Sequence, residues 1–207
     1  MRILAATDFH SSNLGARAIR RAVISQIPDL TLICGDVTHF GPLSWAKSFF
    51  NDIPGEVLAV PGNTDPPETV EVLEDLGISL HARKETIENH TLVGLGASSP
   101  TPFNTLFELS EDEIHDTLMR LMRREAILVT HDAPRGHLDV TARGDSVGST
   151  AIKRIVDDYS PIISIFGHIH ESPGTENQGT LFINPGAAMF GRYAIIDTET
   201  RAVLLRE

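Results

Sequence analysis

Short apolar runs alternate along the chain with longer segments in which apolar residues recur three and four positions apart. A short apolar run bounded by turn residues predicts a buried strand, whereas the three-and-four spacing predicts an amphipathic helix. The strand pattern occurs at residues 2–6, 30–34, 56–60, 91–95, 126–130, 161–166, 180–183, 193–197 and 202–205. The helix pattern occurs at residues 14–26, 67–76, 111–124 and 150–159.

Residues at the ends of these segments support the helices. Asn13 can cap the first helix, and Pro28 follows its end. Ser110 precedes Glu113 by three residues, which is the spacing of a capping box. Gly77 follows the second helix as a stop signal.

The order of the elements predicts a mixed α/β fold in one domain that spans residues 1–207. The first half reads strand, helix, strand, helix, strand, which predicts parallel strands joined by helical crossovers. The last three strands follow one another without helices, which predicts an antiparallel meander. The sequence contains no Ser/Gly-rich linker, charge block or internal repeat.

Side chains that can bind metal ions follow five of the predicted strands. In an open α/β sheet, ligands bind beyond the carboxyl ends of the strands, where the connecting loops converge. We therefore expect these side chains to share one cleft. They are Asp8, His10, Asp36, Asn63, His131, His168 and His170.

The spacing of these residues adds detail. Asp8 and His10 lie two positions apart, as do His168 and His170, and in an extended segment such residues point the same way. A glycine precedes three of the seven residues and allows a tight turn or a close backbone approach. Each pair can therefore offer two donors to one cavity.

The donor types predict transition-metal ions. Four imidazoles, two carboxylates and one amide suit Mn, Fe, Zn, Ni or Co better than Ca or Mg. Seven side chains are too many for one catalytic ion with an open position, so two ions that share a carboxylate fit better. Taken singly, an aspartate after a strand is usually a turn or cap residue, and a lone histidine is usually structural. The conjunction of compatible donors in five loops favours the metal site.

The same residues, in this order, resemble the motifs of the calcineurin-like metallophosphoesterase family. The family pattern is Asp-x-His, Gly-Asp, Gly-Asn-His-Asp/Glu, a loop His, and Gly-His-x-His. Here the blocks are Asp8-Phe9-His10, Gly35-Asp36, Gly62-Asn63-Thr64-Asp65, His131 and Gly167-His168-Ile169-His170. Asn184-Pro185-Gly186 also looks like a strand-end motif of small family members.

The resemblance implies a four-layer α/β/β/α sandwich with two mixed β-sheets flanked by helices. It implies two divalent ions, with manganese the first choice. One ion would be held by Asp8, His10 and His170, and the other by Asn63, His131 and His168, with Asp36 as the bridge. The implied reaction is attack of a metal-bridging hydroxide on a phosphate ester, with Asp36, Asn63 and His131 as the catalytic residues.

One position departs from the family pattern. Thr64 stands where the family often has a histidine that is thought to protonate the leaving group, and a threonine hydroxyl cannot act as an acid near pH 7. This difference favours a phosphodiesterase with a preference for good leaving groups. The weaker candidates for substrate binding are His39, Thr64 and Arg135. For His39 and Arg135 the alternative is an exposed side chain without a role.

Charge and composition narrow the class of partner. The formal net charge of −11 opposes non-specific binding to nucleic acid or anionic membranes, although bound cations would reverse the sign locally. The single cysteine, Cys34, excludes an internal disulfide and is expected in the core. No apolar run approaches the ~20 residues that span a bilayer, so we expect a cytoplasmic location. The resemblance implies a small-molecule or nucleotide phosphate ester as the substrate. The oligomeric state stays open.

Two other functions are compatible with these residues. Thr64 fits a metal-binding interaction scaffold with little catalysis, although such a scaffold has no evident need for all the predicted ligands. A phosphomonoesterase or protein phosphatase would use the same metal centre.

Overall fold

The computed structural model describes residues 1–206, which form two β-sheets and five α-helices. The strands are β1 (Arg2–Ala6), β2 (Leu30–Cys34), β3 (Val57–Val60), β4 (Arg83–Ile87), β5 (His90–Leu95), β6 (Ile127–Thr130), β7 (Ile163–Ile165), β8 (Gly174–Gln178), β9 (Thr180–Asn184), β10 (Tyr193–Asp197) and β11 (Val203–Arg206). The helices are α1 (Asn13–Gln26), α2 (Leu43–Asp52), α3 (Thr69–Asp75), α4 (Glu111–Leu121) and α5 (Thr150–Tyr159), with a short 3-10 helix at Ala188–Phe190.

Both sheets combine parallel with antiparallel strands. The first sheet has the order β11-β10-β1-β2-β3, in which β1, β2 and β3 are parallel, β10 is antiparallel to β1 and β11 is antiparallel to β10. The second has the order β4-β5-β6-β7-β9-β8, in which β5, β6, β7 and β9 are parallel and the two edge strands are antiparallel to their neighbours. Helical crossovers join β1 to β2, β2 to β3, β5 to β6 and β6 to β7.

Alternation of side chains along the strands divides the core into three layers. In β1, Ile3 and Ala5 pack between the two sheets, whereas Leu4 and Ala6 pack against α1 and α2. The outer face of the second sheet packs against α4 and α5. Since strands with two buried faces need apolar residues at every position, they appear in the sequence as continuous apolar runs. The predicted α/β/β/α sandwich is confirmed, and Cys34 is buried between the sheets.

The helix ends follow most of the predicted signals. Ser110 and Glu113 form a capping box, with Glu113 N donating to Ser110 Oγ at 3.2 Å and Ser110 N donating to Glu113 Oε2 at 2.9 Å. Gly77 follows α3 with φ +70°. The prediction of Asn13 as the first cap is wrong, because Ser12 accepts the Gly15 N–H at 3.1 Å and Asn13 begins the helix. Within residues 1–206, no helix is long and apolar enough to cross a bilayer.

Three elements and one pairing differ from the sequence prediction. Helix α2 and the edge strands β4 and β8 were not expected. The predicted antiparallel meander is right for β10 and β11, which pair antiparallel in the first sheet, but wrong for β9, which lies in the second sheet, parallel to β7. The physical reason is that the apolar core between the two sheets is formed by residues of both sheets. Consecutive strands such as β9 and β10 can therefore pack into this core from opposite sheets.

Candidate metal centre

The predicted ligands converge from loops of both sheets. Asp8, His10, Asp36 and Asn63 follow β1, β2 and β3, whereas His131, His168 and His170 follow β6 and β7. Within the described residues, donor atoms of Asp8, His10 and His170 all lie within 4.8 Å of one another. The same holds for donor atoms of Asp8, Asp36 and His131. The two groups share Asp8, so they form one continuous cluster.

The backbone turns sharply at the ligands instead of running extended. Asp8, His10, Asp36 and His168 have φ values of +58°, +45°, +51° and +67°. The expectation that residues two apart point the same way because the segment is extended is therefore wrong, although the side chains do converge. Left-handed backbone is costly for residues other than glycine and is concentrated at functional sites.

Backbone hydrogen bonds hold the first two ligand loops together. The N–H groups of Phe9 and His10 both donate to the Asp36 carbonyl, at 2.8 and 2.9 Å, and Asp8 N donates to the Gly35 carbonyl at 3.0 Å. These bonds fix the strained turns in place, so the carboxylates of Asp8 and Asp36 are positioned before any ion binds.

Glycine is required where two loops touch a ligand carboxylate. A Cβ atom on Gly62 would collide with Asp36 Oδ1 and with the Asp36 backbone nitrogen. A Cβ atom on Gly167 would collide with Thr7 Oγ1 and lie 2.6 Å from Asp8 Oδ2. The close approach predicted for the glycines before Asn63 and His168 is confirmed.

Two buried polar side chains, those of Asp65 and Asn184, position the ligand loops by hydrogen bonds to the loop backbones. The Asp65 carboxylate accepts the N–H groups of Gly62, Val37 and Thr38 at 2.8, 3.1 and 2.6 Å, which ties the second loop to the third. Asn184 Nδ2 donates to the Ile169 carbonyl at 3.0 Å, between the two histidines of the last loop. Burial and the nearby Asp36 raise the pKa of Asp65 to about 6.

The contacts of two imidazoles leave their Nε2 atoms facing the cluster. His131 Nδ1 lies 2.8 Å from the Cys34 carbonyl, which can only accept, so Nδ1 carries the proton. His10 Nδ1 lies 3.4 Å from Thr64 Oγ1, whose own hydroxyl donates to the Thr38 carbonyl at 2.8 Å. An imidazole that donates from one nitrogen to a fixed acceptor is oriented to bind a metal through the other.

The carboxylates lie between the imidazoles. Asp36 Oδ1 is 3.4 Å from His131 Nε2, and Asp36 Oδ2 is 3.6 Å from His10 Nε2. Asp8 Oδ1 is 3.3 Å from His170 Nε2, and His170 Nε2 is 3.2 Å from His10 Nε2. Asp8 Oδ1 is buried, and its contact with His170 is an ion pair without hydrogen-bond geometry. Because a buried carboxylate oxygen without a well-formed hydrogen bond is costly, a cation at this position fits the donor set.

The electrostatics of the cluster favour positive charge. Burial alone would raise the pKa of Asp36, but His131, His10 and the Thr64 N–H hold that pKa well below its usual value. Burial alone would lower the pKa of His131, but Asp36, Asp8 and the Cys34 carbonyl raise it to about 10. The cluster therefore binds a proton at His131 when no other cation is present, and a divalent ion would displace that proton.

A chain of hydrogen bonds fixes the amide of Asn63. Thr105 Oγ1 donates to Glu108 Oε1 at 2.6 Å, because the carboxylate can only accept, and it therefore accepts from Asn63 Nδ2 at 2.9 Å. Asn63 Oδ1 is left facing the cluster, 2.9 Å from His131 Nε2. Glu108 and Thr105 thus set which end of the amide faces the site.

His168 lies at the edge of the cluster. Its backbone N–H donates to Asp8 Oδ2 at 3.2 Å, and its ring centroid lies 5.1 Å from that of His131. His168 does not belong to either of the two groups in which all donor atoms lie within 4.8 Å of one another. It therefore lies beside the cluster, next to His131.

A comparison with protein families identifies this arrangement. The model of the calcineurin-like phosphoesterase superfamily domain matches residues 1–201. The chain belongs to the calcineurin-like phosphoesterase superfamily. This family is metal-dependent, which agrees with the ligand groups of the described residues.

The calcineurin-like chain is similar along its whole length to other proteins. It is 32% identical to the protein MJ1162 of Methanocaldococcus jannaschii over 99% of this chain and 95% of that protein. The crystal structure of TT1561 of Thermus thermophilus matches with a TM-score of 0.80 and 14% identity, over 100% of this chain and 98% of that one. The structure of an archaeal phosphodiesterase matches with a TM-score of 0.64 and 17% identity, over 100% and 99%. The two structures support the calcineurin-like fold.

The three weaker candidates differ in position. The exposed His39 ring lies 5.6 Å from the His10 ring, between centroids, at the rim of the cluster. Thr64 is buried, and its hydroxyl contacts His10 and the Thr38 carbonyl. Arg135 is exposed, and its guanidinium has no hydrogen bond or ion pair with a predicted ligand among residues 1–206.

Sequence reasoning missed the residues that support the calcineurin-like ligands from other loops. Glu108 and Thr105 orient Asn63, and Asp132 Oδ2 accepts from Ser99 N and Ser99 Oγ at 2.9 and 2.7 Å, which fixes the start of the same loop. Ser99, Thr105 and Glu108 lie in a loop without a strand-end motif, so only their hydrogen bonds in the fold reveal them, whereas Asp132 directly follows the predicted ligand His131.

Proposed function

We propose that this chain is a metal-dependent phosphodiesterase. The observation that carries the proposal is the convergence of inward-facing imidazole nitrogens on two buried carboxylates, those of Asp8 and Asp36. Membership in a phosphoesterase family and the structural likeness to an archaeal phosphodiesterase support the same reaction class. The reaction adds water across one P–O bond of a diester and releases a monoester and an alcohol.

The donor set supports two divalent transition-metal ions, with manganese first and Fe, Zn, Ni or Co as alternatives. Asp8, His10 and His170 would hold one ion, and Asn63, His131 and His168 the other, with Asp36 between them. When bound, such ions lower the pKa of water to near neutrality and offset charge on phosphate oxygens. The two Asp36 oxygens face His10 and His131 separately, which supports the bridging role.

The environment of Thr64 supports a diester with a good leaving group. Its hydroxyl is used within the protein, where it donates to the Thr38 carbonyl and contacts His10. A threonine cannot protonate a departing alkoxide near pH 7. Esters whose alcohols leave without protonation, such as p-nitrophenyl esters, are therefore the expected substrates. The proposed natural substrate is a small-molecule or nucleotide phosphodiester in the cytoplasm.

The test is hydrolysis of bis-p-nitrophenyl phosphate with added Mn²⁺. We expect metal-dependent turnover that falls by at least roughly 100-fold in Asp36→Asn, because this carboxylate contacts both ligand groups and even outer contacts of a metal site are worth about 10–100-fold. Asp157→Asn, which removes an exposed carboxylate paired with Lys153, is the matched control and should retain activity. Turnover that needs neither Mn²⁺ nor Asp36 would contradict the proposal.

Two outcomes would favour the other functions. Faster hydrolysis of p-nitrophenyl phosphate than of the diester would indicate a phosphomonoesterase or protein phosphatase. Tight Mn²⁺ binding without hydrolysis of either ester would indicate a metal-binding scaffold.

A further inference from the structure

Two exposed phenylalanines lie on segments that are hydrogen-bonded to the Asn63–Thr64 turn of the candidate metal centre. Phe40 is 52% exposed and Phe103 is 82% exposed. Phe40 N donates to the Thr64 carbonyl at 3.0 Å. The segment that carries Phe103 reaches the same turn from another loop, through the Thr105–Asn63 bond and through Phe107 N, which donates to the Asn63 carbonyl at 3.1 Å.

Phe40 is connected to the metal centre by a row of rings. The His10 and His39 centroids are 5.6 Å apart and those of His39 and Phe40 are 4.7 Å apart, both in edge-on geometry. Phe40 has φ +59°, which is unfavourable for a bulky residue. The fold therefore holds a half-exposed apolar ring against His39, one ring away from the predicted ligand His10, in a backbone conformation that costs free energy.

Phe103 is presented by a rigid turn. Asn104 N donates to the Thr101 carbonyl at 3.4 Å, and Phe103 N donates to Thr101 Oγ1 at 3.2 Å. Glu108 Oε1 accepts the hydroxyls of Thr101 and Thr105, each at 2.6 Å. Since the turn is fixed by side-chain bonds at its base, Phe103 is held at the tip and would lose little conformational freedom on binding.

We infer that Phe40 and Phe103 bind the aromatic base of a nucleoside that is esterified to the scissile phosphate. Aromatic side chains on fixed segments are the usual partners of nucleobases, because every base offers a flat face for stacking. The net charge of −11 opposes long nucleic acid, which leaves a small nucleotide diester as the ligand class. This inference rests on the proposed phosphodiesterase function and adds the substrate group, a nucleoside, that Phe40 and Phe103 would select.

The test compares two diesters that lose the same p-nitrophenolate. One is the p-nitrophenyl ester of thymidine 5′-phosphate and the other is methyl p-nitrophenyl phosphate, so only the retained group differs. We expect the wild type to prefer the nucleoside ester. Phe40→Ala and Phe103→Ala should each raise KM for that ester by roughly 5- to 150-fold, which corresponds to about 1–3 kcal/mol of stacking. The methyl ester should be hydrolysed as by the wild type.

Two controls separate stacking from damage to the site. Phe40→Tyr keeps a ring and should retain the preference for the nucleoside ester. Ile24→Ala removes an exposed apolar side chain on α1 and should leave KM for both diesters unchanged. Hydrolysis of neither diester by the wild type would refute the phosphodiesterase itself. Equal rates on both diesters, or alanine variants that keep the nucleoside preference, would overturn the inference alone.

Discussion

In this calcineurin-like protein, single residues outside the predicted ligand set determine how the ligand side chains are oriented. The sequence identified residues that the fold brings together, because imidazoles and carboxylates directly after apolar runs stand out at strand ends. It did not identify Thr105 and Glu108, since a threonine and a glutamate in a loop carry no local signal of a partner 42 residues away along the chain. The candidate ligands are thus visible in the sequence, whereas their orientation depends on the fold.

Replacing Thr105 tests this orientation. Thr105→Val keeps the shape but removes the hydroxyl that accepts from Asn63, so the amide is free to turn its NH₂ group towards the cluster. We expect Mn²⁺ affinity to fall by about 10–100-fold, the usual effect of losing an outer contact of a metal ligand. Isothermal titration calorimetry measures the change, and Thr105→Ser, which keeps the hydroxyl, should bind nearly as tightly as the wild type. Equal affinities for the valine and serine variants would show that Thr105 does not orient the amide.

Secondary-structure elements were predictable where burial is two-sided. The central strands are buried on both faces and mostly apolar, because helices cover one face and the other sheet covers the opposite face. The edge strands β4 and β8 have mostly exposed side chains and no apolar pattern, so they were missed. Helix α2 was missed because Pro42 precedes it without a side-chain cap.

One contact between elements makes a testable contribution to stability. Glu111, the first residue of α4, accepts from Ser149 Oγ, Thr150 N and Ala151 N at 2.7, 3.0 and 2.7 Å at the start of α5. A carboxylate satisfies free N–H groups there and complements the helix dipole. We expect Glu111→Ala to lower the free energy of unfolding by about 0.5–2 kcal/mol, measured by urea denaturation at pH 7.

The same contact should depend on pH in a defined direction. Burial raises the pKa of Glu111, but the Ser149 hydroxyl and the two N–H groups outweigh burial and lower that pKa below its usual value of 4.5. The stabilisation is therefore complete above pH 4.5 and is lost as the pH falls through the lowered pKa. The difference between wild type and Glu111→Ala should shrink in that range, and a constant difference down to about pH 3 would argue against a charged contact.

At the scale of the whole molecule, metal binding should stabilise the fold. The cluster brings buried carboxylates together, and an ion that binds only the folded state adds about 2.7 kcal/mol at 100 times its dissociation constant. We expect Mn²⁺ to raise the melting temperature in differential scanning calorimetry and EDTA to reverse the rise. Asp36→Asn should show a much smaller rise, and an equal rise in both proteins would place the bound ion elsewhere.

The path of the chain between layers could not be predicted from local pattern. Strand β9 ends in the second sheet, and the segment with Asn184, Gly186 and the short 3-10 helix then leads to β10 in the first. Both strands are apolar and either could pair with the other, so the meander was a reasonable but wrong expectation. The deciding factor is the packing of distant strands, which no run of neighbouring residues records.

Since the ligands come from both sheets, the apolar seam between them also controls alignment. The seam is closed by side chains such as Leu32 and Ile165, and the only cysteine offers no covalent link across it. A shift of one sheet relative to the other by about an ångström would misplace the predicted ligands. Such a shift is expected to lower the rate of hydrolysis on the order of 100-fold. Substitutions of core residues between the two sheets should therefore reduce hydrolysis before they unfold the protein.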